Sequence, residues 1–469
     1  MSDKTTYNED HFETLMKALC GWYVRRDKAF YSVKHLDRKL SSDDVKRTAI
    51  LRFKSEHADI PLETPLLKAV FDIAITKLHT DPTRMLPVWD GGMRCEPTND
   101  GPFIWDEGMV TVNAWRMPNY RAADINDREI EVVQDYLKWM FPRHDERTRI
   151  IDWLAWCLQN EGNKPMWAPL LYSATKGSGK STFCMLAQKL FGDDNTAALN
   201  GVDKLTGRFN VTPLLKKLVT CEEVSLRPDS VQGNTLKTFI TEGEVLAERK
   251  GQESAPLRQC CCFLLTTNHF PSWIETDDRR YWIVDVDHDG HASGKRGKDF
   301  ADLVGQLREA MDDPAFLRSV YNWLMRRQLT EGFTALTLNL ATDSTDIMRR
   351  VHSSSEQVML VALREYLASL GCFAIPQEAL CDHVMKEMKM NPNALRHMMA
   401  ELGWHGQDVK WSGKDYARRV WVHGGYTIHR GQLSGPEGYE AILTDLETFK
   451  DFTGILQGDE SAPIAQAAY

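Results

Sequence analysis

Residues 174–181 read "ATKGSGKS" and sit between the apolar run Leu170–Ser173 and a helical pattern from about Ser181 to Phe191, stopped at Gly192. Few local patterns restrict a fold so tightly. A loop of this kind presents its backbone N–H groups to phosphate only when a buried strand feeds it and a helix leaves it, which predicts a parallel α/β sheet. Gly177 and Gly179 let the backbone approach an anion, and the helix N-terminus adds a favourable dipole. The expected ATP-binding residues are therefore Ala174, Thr175, Lys176, Gly177, Ser178, Gly179, Lys180, Ser181 and Thr182. Lys180 would reach the β- and γ-phosphates, and the Ser181 hydroxyl would hold Mg²⁺. Ala174 stands where Gly is commoner, and Pro169 predicts that the strand starts only after it.

Three further strand ends follow in order. In "PLLKKLVTCEEV" an apolar strand, Leu218 to Cys221, runs into Glu222 and Glu223. Carboxylates at the C-terminal end of a strand near a phosphate loop suit metal binding and water activation. Glu222 is expected at the Mg²⁺ and Glu223 at the attacking water. "CCCFLLTTNHFP" reads as a buried strand over residues 260–267 that delivers Asn268, which by its order after the two earlier motifs stands where ring NTPases carry a polar residue that senses the γ-phosphate. "ETDDRRYWIVDV" then sets Arg279 and Arg280 before an aromatic strand. The bland reading pairs them with Asp277 and Asp278. The alternative makes Arg280, or else Arg279, an arginine finger that meets nucleotide held by a neighbouring subunit.

Composition adds limits rather than detail. The chain has 469 residues, enough for about three domains, and 42% of them are hydrophobic, so it is globular. Its net charge of −9 means that any nucleic-acid contact depends on local basic surface. The ten cysteines include the run Cys260–Cys262 but no zinc spacing. Buried free thiols fit a reducing bacterial cytoplasm, and no apolar run approaches the roughly 20 residues of a membrane span. The expectation is a cytoplasmic protein without a membrane partner.

The stretch from about 165 to 287 resembles the superfamily three helicases, in particular the helicase part of phage and plasmid primase-helicases of the poxvirus-related kind. "ATKGSGKST", "LVTCEEV", "LKTFITEGEVLAERKGQES", "FLLTTNHFP" and "DDRRYW" carry the resemblance, in the family's order. The third is the most discriminating. It reads as a helix with Lys237, a strand from Val245 to Arg249 and a turn at Lys250–Gly251. In the family that hairpin enters the channel of the ring, so the resemblance implies that Lys250, with Arg249 beside it, grips DNA phosphates. It also implies an AAA+-like P-loop NTPase core, a homohexameric ring, ATP and Mg²⁺ as cofactors, and 3′→5′ movement on single-stranded or forked DNA.

The flanks are read more coarsely. Residues 1–130 look like a mixed α/β N-terminal domain with a hairpin at "GWYVRRDKAFYSV" and an amphipathic helix at "TPLLKAVFDIAITKLH". They leave too little room for a polymerase domain, so a separate primase or polymerase is an expected partner. The ATPase core is expected over 131–340. "DVDHDGH" (285–291) reads as a strand end running into a solvated loop with the basic "GKRGK". Residues 350–455 suggest a winged helix: a leucine stripe at 360, 363, 367 and 370, a helix after Pro376, and a third capped by Asn391 and ended by Gly403. A two-stranded wing would turn near Ser412–Gly413. Lys410, Lys414, Arg418 and Arg419 could meet phosphates there, with Arg396 on the groove-reading helix; the competing view is a protein-packing module with solvated charges. Residues 456–469 look like a flexible tail. The expected function is an ATP-dependent DNA helicase for replication of a phage, plasmid or integrated mobile element. The alternative is an origin-binding initiator that uses ATP as an assembly switch, and a more distant one is an ATPase subunit of a defence complex.

Overall fold

Helix Glu9–Trp22 starts on Asn8, whose side chain accepts from the Asp10 and His11 amides, and it buries Phe12, Leu15, Met16 and Leu19 along one face. In the computed structural model the described residues are 7–76, 81–122, 127–248, 254–287, 290–386, 392–410, 417–443 and 456–457. The chain forms two compact units. One comprises Met1–Leu226, Ser230–Pro271 and Arg279–Met348; the other comprises Arg227–Asp229, Ser272–Asp278 and Arg349–Tyr469.

Within the first unit the expected N-terminal hairpin is present: Tyr23–Arg26 pairs antiparallel with Ala29–Ser32, and His35–Leu40 adds a third strand. Helix Ser42–Glu56 follows, its start fixed by a reciprocal Ser41–Asp44 capping box. The apolar run near residue 64 is α-helical only over Thr64–Phe71 and then widens into a π turn at Asp72–Thr76. A second small sheet, Trp89–Arg94, Phe103–Asp106 and Met109–Asn113, shares a core with the first, where Val110 and Val112 meet Val24, Tyr31 and Val33. These N-terminal elements belong to the same compact unit as the large sheet, tied to it where Cys95 and Trp115 pack on Cys260.

That sheet is five-stranded and parallel. Its strands in chain order are β1 Ala168–Tyr172, β2 Thr196–Asn200, β3 Leu218–Glu222, β6 Cys262–Thr267 and β7 Tyr281–Asp285, with a separate antiparallel hairpin of β4 Glu244–Ala247 and β5 Ala255–Arg258 between. The spatial order is β7-β1-β6-β3-β2. Every residue of β6 is buried, as a strand covered on both faces requires. Helices include α1 Glu131–Met140, α2 Lys180–Phe191, α3 Val231–Thr241, α4 Gly294–Ala310 and α5 Pro314–Met325. Helix α2 buries Phe183, Cys184, Leu186, Ala187, Leu190 and Phe191.

Several sequence boundaries shift. Pro169 lies inside β1, opposite Trp282 of β7. The Ala168 amide donates to Arg280 O on the β7 side at 2.8 Å. Successive amides alternate sides, so Pro169 faces β6, whose pairing with β1 begins only at Leu170. Strand β6 starts at Cys262 rather than at 260, and β4 ends at Ala247 rather than Arg249. The "GKRGK" segment is no loop: it is the first turn of α4.

The long segment of the second unit starts within helix Asp346–Leu370, where Leu363 and Leu367 are fully buried and Leu360 and Leu370 partly so. Helices Gln377–Lys386 and Pro392–Glu401 follow, and Asn391 lies outside the described residues. Strands Trp404–Lys410 and Ala417–His423 pair antiparallel, joined by Ala374–Pro376, which the sequence did not signal. Also unforeseen is a four-stranded antiparallel sheet of Thr427–His429, Gln432–Ser434, Glu440–Leu443 and Leu456–Gln457. Strands of two to four residues are too short for alternation to register. Leu456–Gln457 therefore corrects the reading of a tail from 456 onward, while 458–469 lie outside the described residues.

Candidate functional site

The loop, the two carboxylates and the asparagine are brought together because β1, β3 and β6 run parallel and end on the same edge. Ser173, fully buried, closes the end of β1: its Oγ accepts from the Thr175 amide at 3.1 Å and donates to Thr175 O at 2.8 Å. The chain then passes Gly177 (φ 80°) and Gly179 (φ 95°), left-handed positions where only glycine is unstrained. Helix α2 starts at Lys180 with its N-terminus facing the cleft.

Lys180 is buried and makes three contacts: Asn268 Oδ1 at 2.9 Å, Ser178 Oγ at 3.1 Å and Ser173 O at 3.4 Å. Burial pushes its ammonium below the ordinary lysine range, opposed by the carboxylates of Asp287 and Asp285. The Ser181 hydroxyl donates to the Glu222 carboxylate, so two hard oxygen donors meet in the lining of the cleft. Glu223 is exposed with φ 55°, and Val224 N returns to Thr266 O on β6 at 2.8 Å. The cleft occupies about 430 Å³, between the 176–182 loop and its partners Glu222, Glu223, Thr266 and Asn268 on one side and Gly297, Phe300, Ala301, Val304 and Arg308 of α4 on the other. No group of three or more His, Cys, Asp or Glu side chains suited to a metal occurs among the described residues. Magnesium carried with a nucleotide takes most of its ligands from water and phosphate, so a serine hydroxyl beside one carboxylate fits it.

Arg279 and Arg280 are not part of this cluster. They precede β7, on the edge of the sheet opposite the loop, about 16 Å away along a five-residue strand. Arg279 is exposed and Arg280 half-buried. Lys237 lies on α3, while Arg249, Lys250 and Lys414 lie outside the described residues. In the second unit Arg396 and Lys410 are exposed, Arg418 is half-buried, and Arg419 sits opposite Asp408 at 3.4 Å.

Other residues at the site were not picked out from the sequence. Arg308 of α4 donates to Thr182 Oγ1 at 3.0 Å and 3.3 Å. Tyr136 of α1 donates to Gly179 O at 2.8 Å. His291 is fully buried, with Nε2 3.4 Å from Ser178 O and Nδ1 3.6 Å from Asp287. The solvated loop expected at 285–291 is corrected by these contacts. The Asp287 side chain is only 6% exposed and accepts from the Ala292 amide at 3.0 Å. The "DVDHDGH" string was the available hint, since Asp and His alternating past a strand end can turn either way.

A family of unknown function, DUF5906, matches residues 171–280. That span runs from the end of β1 to Arg280. The chain is also 25% identical, over 261 residues, to the DNA primase-polymerase of Nitratiruptor phage NrS-1. The match covers 54% of this chain and 34% of that protein, so the chain spans about a third of the relative's length. Among solved structures, the apo C-terminal region of NrS-1 is similar with a TM-score of 0.52 at 16% identity, covering 89% of this chain and 100% of that one. A second apo form of that region aligns at a TM-score of 0.49 with 15% identity, covering 86% and 94%. At 16% identity the likeness to the first of these structures is one of fold.

Proposed function

We propose that the chain is a P-loop NTPase with an AAA+-like core that acts as a ring helicase in replication of a phage or related mobile element. The observation that carries this reading is the convergence of Lys180, the Ser181–Glu222 contact, Glu223 and Asn268 around one cleft, with Lys180 Nζ 2.9 Å from Asn268 Oδ1. In this reading the loop amides and Lys180 neutralise the β- and γ-phosphates, and Ser181 with Glu222 holds Mg²⁺, which supplies charge neutralisation when bound. Glu223 orients and deprotonates the attacking water, and Asn268, which accepts from Lys180, turns to the γ-phosphate. Arg280 serves a neighbour's nucleotide from the opposite edge of the sheet. The second unit is read as a winged helix, with Arg396, Lys410 and Arg418 toward DNA phosphates.

The similarity to a phage DNA primase-polymerase supports a place in phage-type DNA replication and favours one competing reading, that the chain takes part in priming or polymerisation. A parallel set of assays separates them. ATP-dependent displacement of a strand from a generic fork, stimulated by single strands, is expected. Duplex binding without displacement would favour an initiator. Primer extension from dNTPs that survives Lys180→Ala would overturn the motor reading in favour of polymerisation.

A further inference from the structure

We propose that Tyr136 and His291 are positioning residues that set the shape of the 174–181 loop from behind, by holding the carbonyls of Ser178 and Gly179. The inference rests on the nucleotide reading above for its consequence, but its geometry stands alone. A loop that aims successive N–H groups at an anion must turn the intervening carbonyls away from it. Those carbonyls then need donors on the far side. Gly179 O receives the Tyr136 hydroxyl at 2.8 Å besides the Thr182 and Phe183 amides at 2.9 Å and 3.1 Å, which open helix α2. Ser178 O faces His291 Nε2 at 3.4 Å; a carbonyl only accepts, so the contact is a hydrogen bond in the tautomer that carries its proton on Nε2.

Both donors are rigidly mounted. Tyr136 and Trp139 of α1 stack on Phe300 of α4, with ring centroids 6.2 Å and 5.8 Å apart, and His291 meets Phe300 edge-on at 4.4 Å. This block presses on the loop at the bare α-carbon of Gly179, while Gly177 has open space around it. A Cβ on Gly179 would come 2.5 Å from Met140 Sδ and 2.9 Å from Phe300 Cζ. Helices α1 and α4 thus hold the loop preformed, and both lie outside the DUF5906 match.

The test compares Tyr136→Phe, His291→Leu and His291→Gln with the wild type in the full chain. Tyr136→Phe keeps the ring and removes only the hydroxyl; His291→Gln keeps an N–H at a similar reach. Hydrogen exchange of the 174–181 amides without nucleotide should quicken in Tyr136→Phe and His291→Leu and stay near wild type in His291→Gln. Titration with a non-hydrolysable ATP analogue and Mg²⁺ should show Kd raised about five- to tenfold in the first two, the size of one lost hydrogen bond. KM should rise with it and kcat change less. Unchanged loop exchange in Tyr136→Phe and His291→Leu overturns the proposal, whatever the nucleotide result. Faster exchange in a protein whose wild type binds no nucleotide upholds the bracing and sinks the nucleotide reading instead.

Discussion

Glu223 leaves β3 with a left-handed backbone, a conformation that costs an L-residue roughly 1–2 kcal/mol. The turn is tied down at once by the bond from Val224 N to Thr266 O, and it stands the carboxylate at the mouth of the cleft while Glu222 stays against Ser181. Two adjacent glutamates therefore have separate positions, which is what separate roles at metal and water require. Glu223→Gln should still bind ATP, with turnover reduced by about a hundredfold or more, the range for losing a general base. Lys180→Ala should lose nucleotide binding and hydrolysis together. Filter binding and phosphate release on the two proteins check this. Near wild-type turnover in Glu223→Gln would move the base to Glu222.

The hairpin β4–β5 hangs from the end of α3, and that junction is held by two long side chains, Lys164 from before β1 and Gln259 at the foot of β5. Lys164 Nζ and Gln259 Nε2 both donate to the carbonyls of Phe239 and Glu242, which the helix itself leaves without amides. Gln259→Leu should destabilise the chain by roughly 1–2 kcal/mol, the cost of weakening bonds to buried carbonyls. Hydrogen exchange should rise first across 244–258, and urea melts give the total. Lys164 adds a pH signature. Burial lowers its ammonium to about 8 from the ordinary 10.5. Between those values the unfolded chain holds a proton that the folded chain has released, so stability rises with pH across that window. Below about 8 both forms are protonated and the contribution is flat. The stability of wild type relative to Lys164→Met should accordingly climb from about pH 8 to 10.5; a difference that does not vary with pH would place the charge elsewhere.

For the molecule as a whole, the sheet separates the two halves of the proposed chemistry. The loop, the carboxylates and Asn268 crowd one edge, and Arg279 and Arg280 stand at the other, where they are remote from the loop of their own chain. A ring of copies would turn that separation into a seam. Arg280→Ala should therefore bind ATP in its own cleft yet hydrolyse it about a thousandfold more slowly or worse, as expected for a lost trans arginine. Mixed with Lys180→Ala, it should regain part of the activity, since some seams would join an intact loop to an intact arginine. ATPase measured across mixing ratios, with mass photometry on the same samples, reads this out. Normal hydrolysis by both Arg280→Ala and Arg279→Ala in confirmed rings would leave the pair as a strand-edge feature only.

What the sequence determined by itself was the succession of local signals. A strand, a glycine loop and a helix are neighbours in the chain, so residues 168–191 were legible within a residue or two. The same holds for the ends of β3 and β6, because a parallel strand buried on both faces is a mostly apolar run, here admitting only small threonines, that a carboxylate or amide side chain ends. Glu222, Glu223 and Asn268 were found that way. Their convergence was decided only by the order β7-β1-β6-β3-β2, which brings Asn268 to Lys180 across 88 residues of chain. Tertiary structure alone also supplied Tyr136, His291 and Arg308, which meet the loop region from 43, 113 and 126 residues away. Contacts at such separations leave no period in the sequence, since each partner's helix is patterned by its own core face and not by the carbonyl or hydroxyl it reaches. Pro169 makes the same point inside one strand: its missing N–H looked prohibitive until the packing showed that it faces the side where pairing has not yet begun.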